Sequence, residues 1–441
     1  MSTNDANQVV ISGIGVITAL GVGIEPLWDA MLTGKTGLRR IERFDPGGFA
    51  SQVAGELDDE AFSVRKVVPK SHRKATKVMC RDTELAVGAA AVAVEDAGIT
   101  TAATSEDPPT IDPNRVGCHI GAGLISAELN ELTTALVTSK QEDGTFDINH
   151  WGQEGMENLS PLWLLKYLPN MLACHVTIVH DCRGPSNTIT CCEASSGLSI
   201  AESRRVIQRG DADACLSGGA EDRVNPLSLF RQHCTGRLAP TDGSGDLSTV
   251  VRPFAGDANG TVVGEGGGIL LIESQSSCRS RSGTPWCTID GIGCTQSIAD
   301  SPLITELHAL IASITTAISE ADCKPSDIDA IVPLGAGVAL IDQVEREALA
   351  NVFGERLVTI PLITTIPYTG NCMAGNGTIA ISVAAKALRE QMIPARLGAE
   401  ETEGVMAAKC GAKATTLGRI LVVTPSEGGQ CVAIVLGRIV S

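Results

Sequence analysis

Two stretches decide how this chain folds: Val9-Val-Ile-Ser-Gly-Ile-Gly15 and Cys287-Thr-Ile-Asp-Gly-Ile-Gly293. Both are short, β-branched runs that close on Gly-Ile-Gly, the pattern of a buried strand running into a tight turn. Two further echoes follow in the same order. The helical pattern Ala91-Val-Ala-Val-Glu-Asp-Ala-Gly-Ile99, then Asp112-Pro and Gly121-Ala-Gly, is answered by Ile314-Thr-Thr-Ala-Ile-Ser-Glu-Ala-Asp322, then Asp327-Ile-Asp and Gly335-Ala-Gly. Thr190-Cys-Cys-Glu-Ala-Ser-Ser-Gly-Leu-Ser-Ile-Ala201 pairs with Thr369-Gly-Asn-Cys-Met-Ala-Gly-Asn-Gly-Thr-Ile-Ala380. In each echo a strand feeds a small-residue turn and then a helix, the βαβ arrangement whose strands run parallel and are buried on both faces. The order implies a duplicated α/β unit with halves at residues 1–275 and 285–441, separated by the Ser/Arg-rich stretch Gln275 to Gly283. The polar segment 139–160 reads as a long surface loop or cap inserted in the first half.

Composition narrows the function classes. Across 441 residues, 34 basic side chains stand against 51 acidic ones, net −17, which argues against a nucleic-acid binder. With 43% hydrophobic residues, 19% charged and 47 glycines, the chain can bury a large core of closely packed small residues. No apolar run approaches the ~18 to 20 residues that span a bilayer. The start, MSTNDANQVV, has neither a basic n-region nor an apolar h-region, so no membrane association and a cytoplasmic location are expected. The fifteen cysteines are scattered, with no C-x₂-C pair, which points to reduced core thiols rather than structural zinc. The Gly-Ile-Gly turns do not continue as G-x-G-x-x-G, so no nucleotide site is assigned, and neither a metal nor another cofactor is expected.

Several stretches resemble the β-ketoacyl synthases, the condensing enzymes of fatty-acid and polyketide synthesis. They are Val9 to Thr18, Leu168-Pro-Asn-Met171 with Arg183-Gly-Pro185, Gly210-Asp-Ala-Asp213 with Ser217-Gly-Gly-Ala-Glu221, and Arg252-Pro-Phe254 leading to Gly264-Glu-Gly-Gly-Gly268. The resemblance covers essentially the whole chain. It implies an α/β, thiolase-like, five-layered α-β-α-β-α fold of two duplicated halves, acyltransferase ancestry, a dimer, and an active site at the N-terminus of a buried helix.

A condensing enzyme holds its acyl chain as a thioester on a thiolate at a helix N-terminus and uses two imidazoles for decarboxylation and oxyanion stabilisation. In the resembled family the nucleophilic Cys lies eight positions after the Gly-Pro pair, and here that count reaches Glu193. The first His opens a His-Gly-Thr-Gly-Thr motif; the matching segment is Leu334-Gly-Ala-Gly-Val338, followed by Asp342 and Glu345 where the family also tends to be acidic. The second His closes Lys-x-x-Thr-Gly-His, here Ile366-Pro-Tyr-Thr-Gly-Asn371, so both Lys and His are replaced. The gate loop Gly-Phe-Gly-Gly-Thr-Asn becomes Ser426-Glu427-Gly428-Gly429-Gln430-Cys431. An alignment-free check agrees, because none of the seven histidines lies beyond His308. Glu193 is then a buried acid/base, a mimic of an acyl or malonyl carboxylate, or a polar plug served by helix N–H groups, and Asn371 is its expected partner across the old site.

The run from Ser63 to Arg81 is the one dense basic patch: Arg65, Lys66, Lys70, Arg73, Lys74 and Lys77. By composition it is a solvated helix face; by resemblance it docks an acidic acyl carrier protein. The resemblance favours a noncatalytic subunit similar to the chain-length factors of type II polyketide synthases, paired with an active ketosynthase or with itself. The alternatives are a malonyl-carrier-protein decarboxylase or other acyl-processing enzyme using Glu193, and a 3-oxoacyl-carrier-protein synthase using Cys192.

Overall fold

The computed structural model describes residues 8–298, 306–399 and 411–439. The principal strands are β1 (Val9–Thr18), β2 (Val116–Gly121), β3 (Ser186–Ile189), β4 (Ala214–Asp222), β5 (Val263–Ser274), β6 (Cys287–Gln296), β7 (Ala330–Val332), β8 (Arg419–Pro425) and β9 (Gln430–Gly437). The principal helices are α1 (Arg81–Asp96), α2 (Met171–His180), α3 (Ser195–Gln208), α4 (Leu307–Glu320), α5 (Ala339–Phe353) and α6 (Asn376–Glu390).

The strand order β7-β8-β9-β6-β1-β5-β4-β2-β3 contains the duplication. In the first half β2 and β4 are parallel, β4 and β5 antiparallel, and β5 and β1 antiparallel. In the second half β7/β8, β8/β9 and β9/β6 repeat those pairings with the same senses. Among the described residues the two sheets join where β1 meets β6, at Val10–Thr288 and Ile11–Cys287. Helices α1 and α2 cover the outside of the first sheet, and α4 and α5 the outside of the second. Helices α3 and α6 lie between the sheets, against each other. That gives the five layers of a thiolase-like fold. Each layer boundary is an apolar core: Leu85, Ile120 and Leu271 outside the first sheet, Ile200, Ile381 and Val422 in the middle, and Leu310, Leu349 and Leu421 outside the second.

The Gly-Ile-Gly stretches are not turns. Both lie inside strands, and the glycines are there because a helix backbone crosses them. A Cβ on Gly15 would sit 1.9 Å from the Ala89 carbonyl oxygen, and one on Gly293 1.9 Å from that of Ser313. Each crossing is pinned alike at the helix end: Ile14 N–H donates to Asp96 at 2.8 Å, and Ile292 N–H to Glu320 at 2.5 Å.

Segment 139–160, expected as a surface loop or cap, is a turn closed by a Lys140–Phe146 bridge in its first part and helical in its second. Asp147 caps the helix Ile148–Gln153 by accepting the Asn149 N–H at 2.8 Å, and a single turn, Gly155–Asn158, follows. With the neighbouring helix Leu129–Thr138 it leaves Leu136, Val137, Phe146, Ile148 and Met156 exposed.

Candidate active site

The polypeptide enters α3 through an elbow. Cys192 takes a left-handed φ of 48°, the 3₁₀ turn Cys192–Ala194 follows, and the Ser195 hydroxyl accepts the Cys191 N–H at 2.8 Å. A side chain rarely adopts φ > 0, so the surrounding packing holds the elbow in place. The elbow carries Glu193 into the interior, where it is fully buried.

A buried carboxylate needs a partner, and sequence reasoning did not find it. Arg237 follows the helix Pro226–Cys234 and is itself only 3% exposed. Its Nη2 donates to Glu193 Oε1 at 2.8 Å, and its Nη1 is ion-paired with the Glu427 carboxylate. The Glu427 backbone N–H donates to Glu193 Oε2 at 3.2 Å. The guanidinium therefore bridges the nucleophile position and the gate loop, a task for a planar fork of donors that Lys cannot perform. Burial first, and then the Glu193 charge, push the Glu427 carboxyl up. The expected service of Glu193 by helix N–H groups is not what the structure has: its carboxylate accepts from Arg237 and the gate loop. What could have flagged Arg237 is the replacement itself, since a carboxylate moved into a core calls for a buried cation.

The cavity beside this network measures about 10 Å³ and is lined by Glu193, Arg237, Leu334, Ile341, Pro425, Ser426 and Glu427. That is at the lower limit for one water molecule. Burial first, and then Glu193 and Glu427, push the Cys192 thiol up to about 12, opposite to what a thiolate nucleophile requires.

Of Leu334, Asn371 and Ile366, the residues matched above to the family's two histidines and lysine, the structure places Leu334 on this cavity. Leu334 and Ile366 also share an apolar cluster with Val53, Ala239 and Val262. Asn371 does not pair with Glu193. Its Oδ1 accepts the Met373 N–H at 2.9 Å and the Asn376 Nδ2 at 2.7 Å, both within its own turn, and its buried Nδ2 has no hydrogen-bond partner. The reason is local: Asn371 lies just before the 3₁₀ turn Met373–Gly375 that opens α6, and its side chain is engaged by that turn. Glu345 accepts the N–H groups of Leu334 and Gly335 at 2.8 and 3.0 Å, and Asp342 those of Phe254 and Gly337 at 2.8 and 3.1 Å. The two acids hold the loop at the first histidine position. Burial pushes Glu345 up to about 8 and Asp342 up to about 7. Gly428 and Gly429, at φ 83° and 86°, allow the tight reversal that aims Glu427 inward.

The six cations of the basic patch lie on the short helix Val64–Val67 (Arg65, Lys66), the turns Lys70–His72 (Lys70) and Ala75–Val78 (Lys77), and the link between those turns (Arg73, Lys74); all six are exposed, and none forms an ion pair among the described residues. The patch is anchored at its end by Arg81, whose Nε donates to buried Glu265 at 2.7 Å.

Comparison with known proteins agrees with this geometry. The family model described as Beta-ketoacyl synthase, N-terminal domain, matches residues 6–277, and that described as Beta-ketoacyl synthase, C-terminal domain, matches residues 286–400. The chain belongs to the β-ketoacyl synthase family. It is a ketosynthase-like protein of fatty-acid or polyketide type. It is similar to 3-oxoacyl-[acyl-carrier-protein] synthase 2 of Staphylococcus aureus (strain COL), at 29% identity over 89% of this chain and 88% of that protein. It is also similar to putative polyketide beta-ketoacyl synthase 1 of Streptomyces halstedii, at 28% identity over 88% of this chain and 87% of that one. Among solved structures, "The ishigamide ketosynthase/chain length factor" superposes with a TM-score of 0.81 at 23% identity, over 98% of this chain and 99% of that chain. A type II PKS acyl-carrier protein in complex with its ketosynthase bound to the hexaketide gives 0.83 at 20% identity, over 98% and 99%. No helix of the described residues is long and apolar enough to cross a membrane.

Proposed function

We propose that this chain is a noncatalytic, chain-length-factor-like subunit that supports an active ketosynthase and meets an acyl carrier protein. The observation that carries the reading is the filled nucleophile site. Glu193 replaces the thiol, Arg237 and the Glu427 N–H hold its carboxylate, and the remaining cavity of about 10 Å³ has no room for an acyl group. No imidazole lines that cavity, and Cys192 sits beside two carboxylates that hold its proton on. A Glu193-dependent enzyme is disfavoured because both carboxylate oxygens are already engaged, Oε1 by Arg237 and Oε2 by the Glu427 N–H, and the cavity beside them is too small for a substrate.

Two surfaces support a partner. Strand β3 ends the sheet with its outer edge unpaired among the described residues, and the inserted helices expose a cluster of large apolar side chains, as an interface does. The exposed basic patch complements an acidic carrier protein. One of the superposed structures is named for a ketosynthase and a chain length factor together, and the other contains a carrier protein.

The test incubates the purified protein with a long-chain acyl donor and malonyl-carrier protein. Neither an acyl adduct by intact mass nor a condensed product is expected, and an adduct on Cys191 or Cys192 would overturn the reading. Glu193→Gln separates the enzyme alternatives: product formed with an active ketosynthase partner survives if Glu193 is structural, and falls ~10² to 10⁴-fold if it is an acid/base. A monomer by light scattering at micromolar concentration would remove the case for a subunit.

A further inference from the structure

The filled site has a chemistry of its own. The Arg237 guanidinium, 3% exposed, and the Glu427 backbone N–H converge on one point from two chain segments far apart in sequence, and both donate to the same carboxylate. Arg237 keeps its charge there. Burial works against that charge, but Glu193 and Glu427 together raise its pKa. Two converging donors, one of them charged, are what a carboxylate receptor consists of.

We propose that Arg237 and the Glu427 N–H form a carboxylate-binding site, that Glu193 is its resident ligand supplied in cis, and that this occupancy keeps the gate loop Ser426–Gln430 shut. The proposal rests on the reading of the site as closed and noncatalytic, and it adds what closes it. The ligand class is a small monocarboxylate. The lining residues Leu334, Ile341 and Pro425 leave only the polar corner for charge, and truncation of Glu193 to Ala removes one methylene and the carboxyl group, the size of acetate. The loop's own backbone closes it: Ser426 N–H donates to the Gln430 carbonyl at 3.0 Å and Gly429 N–H to the Ser426 carbonyl at 3.2 Å, while its outer end is held by Ser297 N–H, which reaches the Gly429 carbonyl at 3.1 Å, and by the pairing of Gln430 with Gln296. At Glu427, the residue that points inward, the loop's ties to the site run through Glu193 and Arg237.

Removing the resident ligand does not strand a charge, because Arg237 remains paired with Glu427. Glu193→Ala is therefore expected to fold, and far-ultraviolet circular dichroism checks it. In full-length Glu193→Ala, hydrogen exchange at the amides of 426–430 should rise about tenfold or more, the change expected when a charge-assisted hydrogen bond is lost. Sodium formate or acetate should restore protection and raise Tm as concentration increases, while sodium chloride at equal ionic strength should not. The double variant Glu193→Ala/Arg237→Gln should not respond to either carboxylate, and wild type should not respond because its site is filled. If Glu193→Ala does not fold, Glu193→Gln takes its place. It keeps one acceptor oxygen, so intermediate loop protection and no response to formate are expected. Loop protection equal to wild type in Glu193→Ala, or in Glu193→Gln if that is the variant read, overturns the proposal, as does rescue by chloride equal to that by formate. None of these readouts involves acyl transfer. An acyl adduct in the condensation assay would therefore sink the noncatalytic reading alone, and failed rescue would sink the receptor alone.

Discussion

The turn that opens α3 and the turn that opens α6 are built alike. Cys192 and Met373 have φ of 48° and 44°, each starts a 3₁₀ turn, and each turn is closed by a side chain three residues on: Ser195 accepts the Cys191 N–H at 2.8 Å, and Asn376 the Cys372 N–H at 2.9 Å. They differ in the residue after the strained one. In the first elbow it is Glu193, which reaches Arg237 and the gate loop; in the second it is Ala374, which offers only a backbone N–H, donated to Glu221 at 3.0 Å. Duplication has preserved the backbone device in both halves, and a single side chain decides which elbow carries a charge.

The sharpest way to break the contrast is to remove the cation. Arg237→Leu leaves the Glu193 and Glu427 carboxylates facing each other in a dry site, and breaking a buried pair in this way costs ~3 to 5 kcal/mol. Urea denaturation should show that loss, whereas Ala374→Gly at the other elbow should cost ~1 kcal/mol or less. A loss below ~1 kcal/mol in Arg237→Leu would mean that the first elbow is no more dependent on charge than the second.

The duplication predicts equal sensitivity elsewhere. Gly15→Ala and Gly293→Ala each drive a Cβ to 1.9 Å from a helix carbonyl oxygen, so α1 or α4 must move off its strand, at ~1 to 3 kcal/mol or more. Matching shifts in the urea midpoint would confirm that the two crossings do the same job. A large difference would show that one sheet tolerates the helix displacement that the other does not.

A pH profile separates the halves in another way. The buried acids Glu193 and Glu221 of the first half have guanidinium partners, Arg237 and Arg223, whereas Glu345 of the second half has only two backbone N–H donors and no cation among the described residues. Burial pushes Glu345 up to about 8 and Asp342 to about 7, while unfolded carboxyls titrate near ~4. Between those values the folded protein holds protons that the unfolded chain has lost. The stability these groups contribute is therefore fully present below pH ~4 and is lost as pH rises through 7 and 8. Glu345→Gln should flatten that decline, and an unchanged slope between pH 5 and 8 would show that other groups set it.

How much of this was legible in the sequence follows from the same comparison. The duplicated fold could be read because Gly13, Gly15, Gly291 and Gly293 are forced by helix crossings, and forced residues leave a pattern. Their setting was misread, since a glycine that admits a helix and a glycine that makes a turn look the same in one dimension. The third echo was found in the wrong register: matching Thr190 to Thr369 sets Glu193 against Cys372, while the backbone sets it against Ala374, two residues on. The positions where the family's thiol and imidazoles are expected could be read because motifs fix where they belong. Arg237 could not, because it belongs to no motif and its contacts lie 44 and 190 residues away.

The smallest expected effect concerns the strained residue of the first elbow, and it decides whether that elbow retains any thiol chemistry. Cys192 lies one position before Glu193, so a one-residue slip is all that a thiol-based synthase reading needs. The electrostatics oppose it: burial and the two neighbouring carboxylates push the thiol up to about 12. At pH 8 such a thiol is ionised to about one part in 10⁴, against roughly a quarter for a free thiol of pKa ~8.5, so alkylation should run about 10³-fold slower than for a free cysteine. Peptide-level mass spectrometry after brief iodoacetamide treatment of the native protein measures the ratio. Cys192→Ser should correspondingly leave both stability, within ~1 kcal/mol, and product formation with a partner unchanged, since the hydroxyl replaces a protonated thiol of similar size. Rapid alkylation at Cys192 together with loss of output in Cys192→Ser would place a working thiolate beside Glu193, and the contrast between a charged, inert elbow and an uncharged one would have to be abandoned.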